Sequence, residues 1–189
     1  MAYLRSRPDV APESVGLWGD SFSPANPDHL ITDETPLWEV GPQVEQEAEP
    51  LGGLLALLGG LYEKGVRTVA VQGGLASFLS IVDDSFAYVP QDVVVPGILE
   101  AGDVAEMASA LAPHPLLLQG LVDGRDRIVS LAELRSQLAP VYESYRSQSS
   151  TALSIQAGKN AAHFADWFLK HFSGGADAVG TLRSASGTQ

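Results

Sequence analysis

The sequence predicts an α/β fold: a three-layer αβα sandwich around a short parallel sheet of about four strands. Two observations carry this. Four short apolar runs, at Val15–Trp18, Val66–Val71, Leu116–Leu118 and Ala152–Ile155, have the length of buried strands. Longer segments with apolar residues at helical spacing lie between and after them, and such alternation gives a parallel sheet with helices on its faces. Composition agrees. Hydrophobic residues make up 45% of the 189 and charged residues 18%, the balance of a folded core.

Residues 2–7 read as the last turn of a helix, stopped by Pro8. The first strand, Val15–Trp18, runs into Gly19-Asp20-Ser21. Residues 22–49 then carry Pro24, Pro27, Pro36 and Pro42 among many acids, which predicts a long inserted loop. Leu30, Ile31, Leu37 and Trp38 are apolar enough to fold it down as a lid. Pro50 suits the first position of a helix with Leu51, Leu54, Leu55, Leu58, Leu61 and Tyr62 on one face. Gly52, Gly53, Gly59 and Gly60 permit a close approach to the sheet, and Gly65 ends the helix.

After the second strand comes Gln72-Gly73-Gly74, then a short helix around Ala76–Val82 and an irregular stretch over 83–101. Asp103 with Glu106, and Ser130 with Glu133, are spaced as capping boxes that open two further helices. Val104, Met107, Ala108 and Leu111 stripe the first, which Pro113 and Pro115 terminate. Leu131, Leu134, Leu138, Val141 and Tyr145 stripe the second. A last helix over about 161–172 places Phe164, Trp167, Phe168 and Phe172 on one face. Residues 1–172 are thus expected to form one domain, and 173–189, rich in Gly, Ser and Ala, a flexible tail.

Several function classes are excluded. A net charge of −12 argues against nucleic acid and anionic membrane surfaces. The absence of cysteine removes disulfides, thiolate metal sites and a thiolate nucleophile. No apolar run approaches the ~18–20 residues that span a bilayer. The first eight residues lack the apolar segment of a signal peptide, so a cytoplasmic protein is expected. No phosphate-binding glycine loop is present, and Asp83-Asp84 has no histidine at ligand spacing, so neither cofactor nor metal is expected.

In an open parallel sheet, sites form beyond the carboxyl ends of the strands. Ser21 follows the first strand, Gly120–Asp126 the third, and Lys159, Asn160 and His163 the fourth. Serine, acid and histidine in that chain order fit a Ser–Asp–His triad. Ser21 would be the nucleophile, with Gly19 freeing the bend and the hydroxyl reachable from solvent. The Phe22 N–H would face the developing oxyanion. Asp123, with Asp126 as the alternative acid, would hold His163 as the base. His29 falls in the lid, and His114 and His171 read as turn or surface residues. Trp18, Phe22, Trp38, Phe86 and Tyr88 would ring the site among acidic loops, favouring small neutral esters.

Three stretches carry a family resemblance. Pro12-Glu13-Ser14-Val15-Gly16-Leu17-Trp18-Gly19-Asp20-Ser21 resembles a nucleophile strand and its turn. Val95–Asp103 resembles the segment before a penultimate strand, and Ala112-Pro113-His114-Pro115-Leu116-Leu117-Leu118-Gln119-Gly120-Leu121-Val122-Asp123 the strand that delivers a triad acid. Together they resemble the C-terminal half of an α/β-hydrolase of the dienelactone-hydrolase or acetyl-xylan-esterase-like kind. The resemblance implies Ser21 as nucleophile, Asp123 as acid and the Phe22 N–H as one oxyanion donor. Ser23 stands where the family has a glycine, and His114 where it has arginine.

Two other readings stay open. Gly19-Asp20-Ser21 also resembles the block of GDSL-type esterases, although their Asp-x-x-His is not matched. A non-catalytic α/β domain, or the partner-binding half of a split hydrolase, is the reading from another class. The family's earlier strands have no counterpart before Val15. A homodimer or a partner chain is therefore expected at the Val15–Trp18 edge, which has no proline or charge to discourage pairing.

Overall fold

The computed structural model describes residues 1–11, 15–27, 49–84 and 87–172. The strands are β1 (Val15–Asp20), β2 (Val66–Gln72), β3 (Leu116–Gln119) and β4 (Leu153–Gln156). The helices are α1 (Ala2–Ser6), α2 (Leu51–Tyr62), α3 (Leu79–Asp83), α4 (Ile98–Ala101), α5 (Val104–Ala110), α6 (Leu131–Gln137), α7 (Ala139–Ser147) and α8 (Ala161–Phe172), with a 3₁₀ turn at Gln91–Val93. The sheet is all parallel in the order β1-β2-β3-β4. No described helix is long and apolar enough to cross a membrane. The lid residues Leu30, Ile31, Leu37 and Trp38, and the tail 173–189, lie outside the described residues.

The sequential strand order decides how the layers fill. Parallel crossovers are right-handed, so successive crossovers in one direction all leave on the same face. Leu54 and Leu57 of α2, Val104 and Ala108 of α5, Leu134 of α6, and Val141 and Tyr145 of α7 share one core with Val69, Val71, Leu116 and Leu118. The opposite face is left to α8, whose Phe164 and Trp167 bury Ala70 and Leu117. Trp18 of β1 joins this second core, its ring centroid 4.8 Å from that of Phe164.

Both capping boxes form. Asp103 caps α5 with Glu106 reaching back, and Ser130 caps α6 with Glu133 doing the same. Asp103 also accepts from Phe78 N–H at 2.7 Å and from the Ser77 hydroxyl at 2.5 Å, tying the loop after β2 to the start of α5. The single helix expected behind Ser130 is two helices. Pro140 sits in the first turn of α7, where its missing N–H costs nothing, and the chain breaks at Leu138. Leu134, Leu138, Val141 and Tyr145 are still all buried.

Two smaller expectations are corrected. Pro50 is the residue before the first turn of α2 rather than within it, and the helix ends at Tyr62, with Gly65 (φ 77°) turning the chain into β2. Gly19 does not make a bend: it lies within β1. It is needed because α2 crosses there. A Cβ on Gly19 would lie 1.9 Å from the Gly52 carbonyl oxygen, inside any van der Waals limit. The helix glycines serve the same approach, since a Cβ on Gly53 would meet Val71 and one on Gly59 would meet Leu17, each at 2.7 Å.

Candidate functional site

The last residues of the four strands are Asp20, Gln72, Gln119 and Gln156, paired in register across the sheet. Every strand therefore ends on a polar side chain. Gln119 is fully buried, and neither its amide nitrogen nor its oxygen has a hydrogen-bond partner. The next residues are Ser21, Gly73, Gly120 and Ala157. Gly73 and Gly120 have φ of 66° and 60°, a conformation that strongly favours glycine.

These two glycines make a floor for Lys159. A Cβ on Gly120 would lie 2.6 Å from Lys159 Cγ, and one on Gly73 would lie 2.8 Å from its Nζ. The lysine stem crosses where side chains are missing, from the loop after β4 to the end of β1. Its ammonium donates to the Ser21 carbonyl at 2.6 Å and lies 3.3 Å from Asp20 Oδ1.

Ser21 itself departs from the expected apex. Its N–H donates to the Gln72 carbonyl at 2.9 Å, continuing the ladder of β1. The residue is only 3% exposed, and its Oγ accepts from the Glu49 N–H at 3.2 Å. Glu49, Gly73 and Lys159 lie against it, and α2, although it begins 30 residues later, folds back onto the neighbouring Gly19 and Asp20. The strained turn of a nucleophile elbow is absent, since the described non-glycine residues with positive φ are Asp126 and Ser149. Phe22, by contrast, is 85% exposed.

The two candidate acids separate clearly. Asp123 is spent on its own turn. It accepts from the backbone N–H groups of Arg125 and Arg127 at 2.9 and 3.0 Å, and from the Arg127 guanidinium at 2.8 and 2.6 Å. Asp126 is buried, with Oδ2 lacking any partner, in a left-handed backbone at φ 59°. Burial pushes its carboxyl up to about 7, with Asp123 adding to the rise and Lys159 opposing it. The Asn26 N–H donates to the Asp126 carbonyl at 2.7 Å, which ties the exit of β1 to this loop. Asp126 is thus an acid in electrostatic reach of Lys159.

His163 is not brought to this corner. Its N–H is capped by Asn160 at 3.0 Å, and its Nε2 lies 3.4 Å from Ser154 Oγ on β4. The ring follows α8 onto the second face of the sheet. His171 stacks on Trp167, His114 sits in the turn before β3, and His29 lies outside the described residues. Trp18 packs on α8 instead of ringing Ser21, and Trp38 and Phe86 are likewise outside the described residues. A cleft of about 450 Å³ opens beside the strand end, lined by Asp20, Glu49, Leu51, Gly52, Leu55, Pro90 and Asp92. Its carboxylates disfavour anionic ligands. Among the described residues no cluster of three or more acids or histidines could hold a metal ion.

Sequence reasoning placed Lys159 beyond β4 but gave it no role. Two signals were available: a polar residue at the end of each strand, and glycine directly after β2 and β3. No family model, curated protein or solved structure matches the chain.

Proposed function

We propose that this chain is the nucleophile-bearing part of a serine esterase of α/β-hydrolase type, acting on small neutral esters through an acyl-enzyme at Ser21. The observation that supports it is that Ser21 Oγ accepts from the Glu49 N–H, in the segment leading into α2, while the Lys159 ammonium holds the carbonyl of the same residue. A hydrogen-bond donor and an ammonium beside the serine both favour negative charge developing there. In this reading Oγ bonds to the acyl carbon, the bond to the alcohol breaks, and water then releases the acid. Asp126 takes the serine proton, directly or through water, and returns it to the departing alcohol oxygen, a carboxyl near 7 being suited to both transfers at neutral pH.

A second reading has its own observation. Ser21 is buried, with its hydroxyl bonded and its backbone unstrained, which favours a non-catalytic domain where the Ser21–Glu49 bond only closes the inserted segment. Turnover of p-nitrophenyl acetate by the parent and by Ser21→Ala separates the two. The esterase reading expects a loss of at least about 10³-fold in kcat/KM and fluorophosphonate labelling that maps to Ser21. Equal turnover in the two proteins leaves only the non-catalytic domain.

The partner reading concerns β1. This strand is an edge of the described sheet, and Trp18 on it is 55% exposed. We expect a second chain to pair along it, so light scattering in dilute solution should give the mass of a dimer. A monomeric mass at all concentrations removes this expectation.

A further inference from the structure

We propose that Lys159 is a positioning residue of the Ser21 site, acting on the oxyanion donor through the Ser21–Phe22 peptide. The role rests on the esterase reading above. The Lys159 ammonium donates to the carbonyl of that peptide at 2.6 Å. The bond is trans, the cis bond among the described residues being Ala112–Pro113. In a trans peptide the C=O and the following N–H lie in one plane and point in opposite directions. Fixing the Ser21 carbonyl on the ammonium therefore fixes the Phe22 N–H, the candidate oxyanion donor, facing away from Lys159. A charge-assisted bond to the carbonyl also draws electron density from the amide nitrogen, which makes its N–H a stronger donor.

The surroundings are shaped for this. Gly73 and Gly120 both hold left-handed backbone, and a side chain on either would collide with the lysine stem. Asp20 stands 3.3 Å from the ammonium and keeps its charge compensated. The contact joins residues 138 positions apart, across the ends of all four strands. Phe22 is the residue after the nucleophile, so an oxyanion there would feel the lysine without touching it.

The chain has no cysteine, which allows a chemical test at one position. Lys159→Cys can be alkylated with 2-bromoethylamine to rebuild an ammonium of lysine length, or with iodoacetamide to give a neutral adduct. The lysine side chain is 37% exposed, so the position is open to reagent. Turnover of p-nitrophenyl acetate, with Ser21→Ala alongside, is the readout. The expected result is a fall in kcat of about 10²-fold for Lys159→Cys, of the order seen when an oxyanion donor is lost, with KM within about twofold. The aminoethyl adduct should recover at least about a tenth of the parent kcat, and the neutral adduct should not. Lys159→Met should unfold at the parent temperature and be as slow as the unmodified cysteine variant. Equal recovery by both adducts, or an unchanged kcat in Lys159→Met, overturns the role while serine-dependent turnover persists. Turnover that survives Ser21→Ala, or is missing in the parent, overturns the esterase reading and this role together.

Discussion

Asp126→Asn is expected to stabilise the fold and, under the esterase reading, to slow turnover at the same time. The carboxyl is 1% exposed, has one oxygen without a partner, and is pushed from 3.8 up to about 7 by burial. The sign follows from linkage. Below pH 3.8 the group is protonated in both states and costs nothing. Between 3.8 and 7 the unfolded chain releases the proton while the folded chain retains it, so stability falls as pH rises. Above 7 the penalty is complete. A gap of about three pH units corresponds to a penalty on the order of 4 kcal/mol. Asparagine tolerates the left-handed backbone at φ 59° and never ionises. Its gain in stability should grow from pH 5 to pH 8 and then level off, as read from urea midpoints. Under the esterase reading the same variant loses the proton acceptor, so turnover should fall where stability rises, a trade common at functional sites. A stability gain that is flat with pH would show that Asp126 is ionised in the folded state as in the unfolded one.

Phe164→Ala is expected to cost about 3–5 kcal/mol, the range for removing a buried aromatic ring. The crossover helices lie on the other face, so among the described helices α8 is the one that covers this face. Phe164 is its central contact, packed with Ala70, Leu117 and Trp167 and against the Trp18 ring. The loop that carries Lys159 enters α8 two residues after it, at Ala161. Loosening α8 should therefore also disturb the lysine. Urea denaturation measures the first effect and, under the esterase reading, kcat the second. Phe164→Leu retains more of the buried area and should cost less than half as much. A cost below about 1 kcal/mol for the alanine variant would mean that the second face does not depend on α8.

The local elements were legible in the sequence because each rests on nearby residues. The four apolar runs became the four strands, within one or two residues at their ends. Asp103 with Glu106, and Ser130 with Glu133, formed the boxes that their spacing predicts. The glycines of α2 do allow the close approach expected of them. Pro140 was present to be read as a helix break, but the continuous apolar stripe through Leu138 obscured it.

Tertiary structure decided the rest, since it depends on which strand ends become neighbours. Asp123 and Asp126 differ by three positions, and the sequence favours Asp123 with Asp126 as the alternative. Only folding shows that Arg127 occupies one while the other is buried with one carboxylate oxygen lacking a hydrogen bond. His163 stands beyond β4 as a triad base should, but the first turn of α8 directs it onto Ser154. Lys159 reaches Ser21 because β2 and β3, lying between β4 and β1, are each followed by a left-handed glycine that leaves its path open. Ser21 is buried, its hydroxyl bonded to the Glu49 N–H 28 positions away, a contact that nothing local in the sequence announces. A sequence fixes hydrogen bonds and apolar periodicity over a few residues, whereas a site spanning the ends of four strands is set by sheet order and by what each loop leaves out.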